Sequence, residues 1–444
     1  MTVHSGVLQT EVLKGGLELE CGETVEINYG KAVPVQADAE CRDRIVKAAD
    51  GMGSGSGKAY ATGNAEADGI TARMWDAIRA AGSLLIRKLV CSAPVIVRFH
   101  NDVDGSGGAL ALYTALEDFV SRNRIAPNVV WIMHRGVSYP AYDALNDVLI
   151  ANGYSCIEKP LLLIIDFGTT AESNEGIDKL SGIFDIIWLD HHPIIPEFRG
   201  AALEHYINPW GYGGNSSYTA GLLASAFSKV LSETDTATFE QASLIGDYSA
   251  YANPDDALAQ ETSTLLDFIT SDPEAAYGPS KQNVTPQEIK AVMEDSARKA
   301  ELVGYANMRM EEAIERGMGS ARLHELRGSL AYVLDFDDVR QEGSRYPLPG
   351  RFSSKLLSHI GERAGGVAMI VYAGSYVLMR TDKELCARIS LLDAVNEIKS
   401  RYPDLVENGG GHACACALKL RDKSRTREIA TAAVAILKEL LEEA

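Results

Sequence analysis

Three side chains that can bind metals follow one another at alternate positions, directly after an apolar segment. In "FHNDVDGSGGAL", residues 99–110, His100, Asp102 and Asp104 come after "APVIVRF" and run into glycines. Imidazole nitrogens and carboxylate oxygens are common ligands of divalent cations. The segment therefore predicts one part of a metal site. The alternative interpretation is a polar strand end followed by a turn, and the remaining sequence has to decide between the two.

Further segments end in side chains of the same kinds. Asp166 follows "LLLII", the run Asp190, His191 and His192 follows "DIIWL", and "LIGDYSAY" offers Asp247 at a fourth, less regular strand end. An aspartate in such a place can instead be the N-cap of the next helix, but recurrence at successive strand ends favours one shared site. A set this large, rich in oxygen and imidazole and without thiolate, predicts two Mn²⁺ or Mg²⁺ ions. Such a pair promotes displacement at a phosphoryl group.

The elements that must carry these ligands alternate between strand and helix from about residue 93. "PVIVRF", "NVVWIM", "LLLIID" and "DIIWLD" are short, apolar and β-branched, which is typical of buried parallel strands. Helical segments separate them. We therefore predict an α/β fold with a doubly wound, mainly parallel sheet, in which ligands bind at the carboxyl ends of the strands. Each acidic cluster falls at such an end.

The whole chain divides into four predicted parts. These are an N-terminal unit of unknown role (1–92), a catalytic α/β domain (93–255), a helical connector (256–335) and a smaller α/β C-terminal domain that binds substrate (336–444). "GMGSGSGK", residues 51–58, has glycines and a lysine like a phosphate-binding loop. However, Met52 and Ala59 stand where that motif needs Gly and Ser or Thr. We interpret the segment as a flexible linker.

Composition narrows the class of protein. The net charge of -19 over 444 residues disfavours a protein that grips long duplex nucleic acid through a basic surface. No secretion signal or membrane-spanning run is predicted. The seven cysteines include no C-x-x-C pair, which argues against a disulfide framework. Cys414 and Cys416 are interpreted as buried thiols on a strand, and a reducing cytoplasm is the expected location.

The ordered motifs resemble a known family. H-x-D-x-D-G, then a strand-end aspartate, then Asp-His-His, is similar to the DHH phosphoesterase superfamily. "ENGGGHACACAL" near the C-terminus resembles the G-G-G-H signature of the DHH-associated C-terminal domain, and "INPWGYGGNSSYTAG" resembles the family's Asn-Pro segment. The covered parts resemble archaeal RecJ-like nucleases, including those associated with the GINS replication complex.

The resemblance implies a role for each residue of the first motifs. The metal ligands would be, in chain order, His100, Asp102, Asp104, Asp166, His191 and Asp247. The first two would hold one ion, Asp166 would lie between the ions, and the other three would hold the second ion. Asp190 would orient its neighbours, and His192 would face the scissile phosphate.

The resemblance also implies substrate-binding residues near the C-terminus. Gly409, Gly410 and Gly411 would let backbone N–H groups approach the substrate closely. His412 would donate to phosphate, and Arg388 would be the basic residue of this domain. Without the DHH motifs, an ordinary turn would be the first interpretation of the three glycines.

These features together predict a RecJ-like exonuclease that cleaves single-stranded DNA or RNA with two Mn²⁺ or Mg²⁺ ions. One alternative is a hydrolase of short oligonucleotides or cyclic dinucleotides, which the acidic charge favours. Another is a replication-complex scaffold with little or no catalysis. GINS-type replication proteins are possible partners in either case, and no membrane partner is expected.

Overall fold

The computed structural model describes most of the chain after the N-terminal region. The described residues are 59–154, 158–341, 343–361 and 365–443, with the backbone of four short strands before them. They form two compact units, Met1–Lys299 and Ala300–Ala444. The linker predicted at residues 51–58 lies outside the described residues. The four-part division made from the sequence stays a prediction.

The first unit contains one five-stranded sheet in which every strand pair is parallel. Its strands are β5 (Pro94–His100), β6 (Asn128–His134), β7 (Leu161–Ile165), β8 (Asp185–Leu189) and β9 (His205–Ile207). Before it, two antiparallel pairs are formed by β1 (Thr2–His4) with β2 (Val7–Gln9) and β3 (Thr24–Asn28) with β4 (Lys31–Val35). The parallel sheet predicted from the apolar runs is confirmed, with β9 as an additional edge strand.

Helices cover both faces of this sheet. In chain order, the helices described in this unit are α1 (Ala65–Val90), α2 (Val103–Asn123), α3 (Ala141–Ala151), α4 (Ser173–Leu180), α5 (Ala220–Ser228), α6 (Ala237–Gly246), α7 (Ala257–Ser271), α8 (Pro273–Tyr277) and α9 (Pro286–Glu294). Short 3₁₀ segments are Arg199–Ala202 and Pro209–Tyr212. The next helix, α10 (Ser296–Ser320), begins in the first unit and continues into the second.

Alternate residues of each strand point to opposite faces, which explains why these runs are apolar throughout. Ile96 and Ile164 pack on one face in a core that includes Ala144 of α3 and Leu180 of α4. On the other face, Ile165 lies against Gly108 of α2, where any side chain would come within 3.1 Å of it. The sheet is therefore buried on both sides, as a doubly wound fold requires.

The strand order β6-β5-β7-β8-β9 reverses direction once. From β5 the chain crosses to β6 on one side, and it then returns to place β7 on the other side of β5. A crevice forms at such a switch point, outside the carboxyl ends of the two strands, and ligands of α/β proteins bind there. The first two predicted ligand clusters follow β5 and β7.

The second unit is built on a six-stranded mixed sheet of order β10-β11-β12-β13-β15-β14. The strands are β10 (Arg322–Leu326), β11 (Ser329–Asp335), β12 (Val367–Ala373), β13 (Tyr376–Thr381), β14 (Val406–His412) and β15 (Ala415–Leu420). The helices are α11 (Pro349–Ile360), α12 (Lys383–Cys386), α13 (Leu391–Arg401) and α14 (Thr426–Glu443), with 3₁₀ segments Phe336–Asp338 and Lys423–Arg425. The predicted smaller α/β domain is thus confirmed in its fold class.

One expectation about the cysteines was wrong. Cys386 and Cys414 form a disulfide, with their Cα atoms 5.3 Å apart, whereas Cys414 had been interpreted as a buried thiol. Cys416, its neighbour on β15, is buried and free as expected. The two bonded cysteines are 28 residues apart, and they meet only because α12 and the turn between β14 and β15 adjoin. A long-range meeting of this kind leaves no local pattern in a sequence.

No helix among the described residues combines the length and the apolar character needed to cross a membrane.

Candidate metal centre

The first ligand cluster lies where β5 passes into α2. The strand ends at His100, Asp102 is the N-cap of α2 with its Oδ1 accepting from the N–H of Gly105 at 2.9 Å, and Asp104 stands in the first helical turn. The three alternate residues therefore come together because the strand ends and a capped helix begins at this point, and not because they share one continued strand. A Cβ on Gly105 would lie 2.6 Å from the carbonyl oxygen of His100, so only glycine permits this sharp junction.

Asp104 is fully buried and is held by another helix. Its Oδ2 accepts from the N–H of Ala220 at 2.8 Å and its Oδ1 from the N–H of Gly221 at 2.7 Å, at the start of α5. Backbone donors at a helix N-terminus stabilise an anion. Burial, together with the charges of Asp166 and Asp247, nevertheless raises the pKa of Asp104 well above its usual range. The site concentrates more negative charge than its donors compensate.

Asp166 directly follows β7 and has an unusual backbone. Its φ is +69°, in the left-handed region that aspartate tolerates better than most residues. The side chain is 1% exposed, and neither carboxylate oxygen accepts a hydrogen bond from the described residues. Its nearest basic neighbours are Nε2 of His191 at 3.4 Å and Nδ1 of His100 at 3.7 Å. A buried carboxylate without hydrogen bonds is costly unless a cation compensates it.

His191 follows β8 and presents one nitrogen to the acidic residues. Its Nδ1 lies 3.0 Å from the carbonyl oxygen of Ser216, which can only accept, so Nδ1 carries a proton. Nε2 lies 3.3 Å from Asp247 Oδ2, 3.4 Å from Asp166 Oδ1 and 3.6 Å from Asp104 Oδ2. A backbone carbonyl that fixes the tautomer in this way is typical of histidines that bind metals through the other nitrogen.

Asp247 joins this group, but not from a strand end. It is the C-cap of α6, and "LIG" forms the last turn of that helix, with Leu244 and Ile245 buried. The prediction of a fourth strand end was therefore wrong. Asp247 nevertheless lies close to the other candidate ligands. A short apolar pair suits a strand end and a helix end equally well, which explains the error.

The geometry sorts the possible ligands into three overlapping groups. Within each group, the candidate ligand atoms lie within 4.8 Å of one another. The groups are His100, Asp102 and Asp166; Asp104, His191 and Asp247; and Asp166, His191 and His192. The first two groups divide six side chains into two adjacent sets, and Asp166 contacts both. The donor atoms are hard oxygens and imidazole nitrogens, which fit Mn²⁺ or Mg²⁺.

Protons balance the carboxylate charge when no metal is present. Burial opposes protonation of His100, but Asp102 and Asp166 raise its pKa well above its usual range. The same opposition operates at His191, whose pKa is raised through Asp166, Asp247 and Asp104. Divalent cations bound here would replace these protons, because metal ligands must be deprotonated. The residues present therefore fit a divalent metal centre.

Asp190 belongs to none of the three groups, and it binds His192, a member of the third group. Asp190 is completely buried, and its Oδ1 accepts from Nδ1 of His192 at 2.8 Å and from the backbone N–H groups of His191 and His192. Its Oδ2 accepts from Thr169 Oγ1. Burial would raise the pKa of Asp190, but the ion pair with His192 holds it well below its usual range. Both carboxylate oxygens of Asp190 therefore accept hydrogen bonds from neighbouring groups.

The predicted substrate-binding residues all lie in the second unit. Gly409, Gly410 and Gly411 belong to the edge strand β14 and not to a turn. At Gly411, with φ +137°, a Cβ would lie 2.3 Å from the carbonyl oxygen of Ala415. Arg388 donates to Ser329 Oγ and to the carbonyl oxygens of Gly365 and Arg327.

Arg388 thus ties together turns of its own unit, while His412 ends strand β14. The substrate-binding roles of these residues stay predictions.

Several groups that hold the candidate site residues in place were not predicted from the sequence. The carbonyl of Ser216 and the N–H groups of Ala220 and Gly221 act through the backbone, so their residue types carry no signal. Thr169 and Tyr206 act through hydroxyl groups. Asn208 was included in the Asn-Pro segment, but its bonds to Tyr206 and to the carbonyl of His192 were not foreseen.

Comparison with known proteins finds a family similar to the part of the chain that carries the site. Residues 94–244 match the description "DHH family, N-terminal domain". These residues run from the first position of β5 to Leu244 in the last turn of α6, and hold every ligand candidate except Asp247. This part of the chain is therefore similar to the N-terminal domain of the DHH family.

Individual relatives extend the similarity beyond that domain. The uncharacterized protein MJ1198 of Methanocaldococcus jannaschii is 23% identical over 396 residues, covering 76% of this chain and 51% of that protein. The chain spans about half the length of this curated relative. A solved structure described as the PF0399 DHH domain, a member of the s1p family of ribosomal proteins, is 21% identical with a TM-score of 0.73. It covers 91% of this chain and 98% of its own.

RecJ from Thermus thermophilus, solved in complex with Mn²⁺, is 17% identical to this chain with a TM-score of 0.50. The alignment covers 84% of this chain and 59% of that one. At these identities the two solved structures show a shared fold. The GINS-associated type expected from the sequence stays a prediction.

Proposed function

We propose that this protein is a divalent-metal-dependent phosphodiesterase that removes nucleotides from the end of single-stranded DNA or RNA. The observation that carries the proposal is Asp166. Its carboxylate is buried, accepts no hydrogen bond from the described residues, and lies between two sets of ligands. Two cations held by these adjacent sets of side chains would supply the chemistry of phosphoryl displacement.

Two ions are assigned to the two sets of side chains. His100, Asp102 and Asp166 would hold the first ion, in keeping with their grouping. The second ion would be held by the other three ligands, Asp104, His191 and Asp247. Mn²⁺ is the first choice and Mg²⁺ the second, since the ligands are oxygen and imidazole without thiolate. The RecJ structure of similar fold is described as a complex with Mn²⁺.

The chemistry is divided between the ions and the protein. When bound, two such cations lower the pKa of water and stabilise the charge on the attacking and leaving oxygens. The protein positions His192, whose ring Asp190 holds through Nδ1. Any proton that His192 exchanges with the substrate must therefore pass through Nε2. His192 would face the scissile phosphate and assist the leaving oxygen.

The second unit is proposed to bind the strand being cleaved. Gly409, Gly410 and Gly411 lie on an edge strand, whose outer backbone groups can bond to a ligand. His412 and Arg388 would add donors for phosphate. Single strands suit this chain better than long duplexes, since its net charge of -19 offers no general basic surface.

The same acidic charge supports a second candidate, a hydrolase of short oligonucleotides or cyclic dinucleotides. The catalytic chemistry would be identical, and only the length of the substrate would change. Replication proteins of the GINS type stay possible partners in either case.

Substrate length provides the direct test. End-labelled single-stranded DNA and RNA, from dinucleotides to about 30 nucleotides and so longer than one domain's footprint, are incubated with Mn²⁺. The wild type is compared with Asp166→Asn and with Asp178→Asn, an exposed aspartate paired with Arg199. Stepwise shortening of long strands by the wild type and Asp178→Asn alone supports the exonuclease. Cleavage confined to the shortest substrates supports the second candidate, and no cleavage of any substrate refutes both.

A further inference from the structure

A chain of hydrogen bonds extends from Asp190 away from the metal ligands and across three strand ends. Thr169 Oγ1 lies 2.5 Å from Asp190 Oδ2 and 3.1 Å from the hydroxyl of Tyr206. The Tyr206 hydroxyl lies 2.8 Å from Nδ2 of Asn208. Thr169 follows β7, Asp190 follows β8, and Tyr206 belongs to β9. The chain therefore links the carboxyl ends of three neighbouring strands.

The direction of every bond in this chain follows from the chemistry of the groups. The ionised carboxylate of Asp190 only accepts, so the hydroxyl of Thr169 must donate to it. The single hydroxyl proton of Thr169 is used in that bond, so Thr169 Oγ1 can only accept from Tyr206. The hydroxyl of Tyr206 must therefore donate to Thr169. The amide nitrogen of Asn208 only donates, so it donates to Tyr206. No member of the chain can reverse its bond without losing a partner.

The chain closes on His192. Nδ2 of Asn208 also donates to the carbonyl oxygen of His192 at 3.0 Å, while Nδ1 of His192 donates to Asp190 at 2.8 Å. The backbone and the ring of the same histidine are therefore held by opposite ends of one circuit. Asn208 is itself oriented, because its Oδ1 accepts from the N–H of Trp210.

Several of the groups that form these hydrogen bonds are buried, so the loss of one bond affects the others. Thr169 is 6% exposed and Asn208 1%, and Asp190 is not exposed. Water cannot readily replace a lost partner at such positions, and polar networks of low exposure are rigid only when complete. If the hydroxyl of Thr169 is removed, Asp190 loses the side-chain partner that its Oδ2 has among the described residues. Its other oxygen then no longer holds His192 in a single orientation.

We infer that Thr169 and Tyr206 are positioning residues that act through Asp190 on the ring of His192. The expected effect on kinetics rests on the proposed function, whereas the orientation of the His192 ring can be measured independently of it. The residues touch no substrate in this scheme. Their contribution is to keep Nδ1 of His192 as the bonded nitrogen, which leaves Nε2 to meet the phosphate.

The test combines ring spectroscopy with kinetics. The variants Thr169→Val and Tyr206→Phe each delete one hydroxyl with little change of shape, whereas Thr169→Ser keeps the donor. Tyr218→Phe is the matched control, since it deletes another buried tyrosine hydroxyl, bonded to Thr71. Long-range ¹H–¹⁵N spectra of the histidine-labelled, Mg²⁺-loaded protein, recorded at a pH high enough for the ring of His192 to be neutral, report which ring nitrogen carries the proton. His192→Asn identifies the signal, and thermal unfolding checks the fold.

The expected result has two parts. In the wild type, Thr169→Ser and Tyr218→Phe, the signal of His192 indicates a proton fixed on Nδ1. In Thr169→Val and Tyr206→Phe it moves toward an average of the two tautomers. Their kcat falls on the order of 10-fold with KM nearly unchanged, as with other supporting groups around metal sites.

An unchanged ring signal in both folded variants would overturn the inference, whatever the kinetics. If the wild type cleaves no phosphodiester, the proposed function fails, yet the ring signal still decides whether Thr169 and Tyr206 position His192.

Discussion

Asp104 and Gly221 are 117 positions apart in the chain, yet the N–H of Gly221 donates to Oδ1 of Asp104 at 2.7 Å. The contact joins the start of α5 to a predicted metal ligand. It also explains why position 221 is a glycine. A Cβ there would lie 2.1 Å from Ser243 Oγ and 2.9 Å from the carboxylate of Asp104. The helix start, the ligand and the packing of α6 thus depend on one another.

Gly221→Ala is therefore expected to weaken both the fold and the metal site. Overpacking of this kind destabilises by about 1 to 3 kcal/mol, and a displaced ligand lowers Mn²⁺ affinity by roughly 10- to 100-fold. Denaturant unfolding and titration calorimetry measure the two effects. Gly69→Ala is the control, since its Cβ would meet only Arg73 at 3.7 Å. The free energy of unfolding of Gly69→Ala should increase by about 0.5 to 1 kcal/mol. Equal changes of stability and Mn²⁺ affinity in the two variants would contradict the prediction.

Asp166→Asn is expected to separate stability from metal binding. Without metal, the neutral amide removes a buried charge that has no hydrogen bond, and asparagine accepts the positive φ. The melting temperature in EDTA should therefore change little, because the removal of a buried charge is offset by the loss of its attraction to the protonated rings of His100 and His191. Mn²⁺ should raise the melting temperature of the wild type far more than that of the variant. A variant that Mn²⁺ stabilises as strongly as the wild type would show that Asp166 is not a ligand.

Glu240 should make stability depend on pH. Burial raises its pKa from 4.5 to about 7, although the Tyr60 hydroxyl and Lys229 act in the opposite direction. The native state thus favours the protonated form, and this contribution is complete below pH 4.5 and is lost as the pH rises through 7. Glu240→Gln keeps a neutral side chain, so its stability relative to the wild type should increase across that window. The increase should reach about 3 kcal/mol.

Urea unfolding at a series of pH values measures the Glu240 effect. Glu233→Gln, which makes the same substitution at an exposed position nearby, is the control. A constant difference between Glu240→Gln and the wild type from pH 4 to 8 would refute the shift.

Arg98 and Asp147 form a buried pair inside the first unit. The guanidinium donates through Nε and NH2 to the two carboxylate oxygens, both at 2.8 Å, and the Tyr139 hydroxyl donates to the same carboxylate. Asp147→Ala should cost about 3 to 5 kcal/mol, because it leaves a buried charge without its main partner. Asp178→Ala breaks an exposed pair with Arg199 and should cost less than about 1 kcal/mol. Similar losses in the two variants, measured by denaturant unfolding, would rule out this account.

The disulfide between Cys386 and Cys414 should stabilise the second unit. Closing a separation of 28 residues lowers the conformational entropy of the unfolded chain, which stabilises the folded protein by about 3.6 kcal/mol. Adding a dithiol reductant should lower the denaturant midpoint of the wild type, whereas Cys414→Ser should unfold at that lower midpoint with or without reductant. If the reductant shifts both proteins equally, the disulfide is not the cause.

Much of the fold could be predicted because its signals are local. The buried strands appear as apolar, β-branched runs, and the candidate ligands His100, Asp166 and His191 stand at or shortly after the strand ends. Those ligands could therefore be assigned to one edge of a parallel sheet. The strand assignment of Asp247 failed, because Leu244 and Ile245 fit a helix end as well as a strand end.

The sequence specifies which ligands are available and at which strand ends they stand, since both depend on side-chain type and short-range periodicity. Tertiary folding then selects their partners. Ser216 and Gly221 act through a carbonyl and an N–H that every residue possesses, and the Cys386–Cys414 bond spans distant segments. Backbone groups become specific only when the fold brings them to a ligand. The candidate ligands can therefore be listed from the sequence, while their orientation depends on the folded molecule.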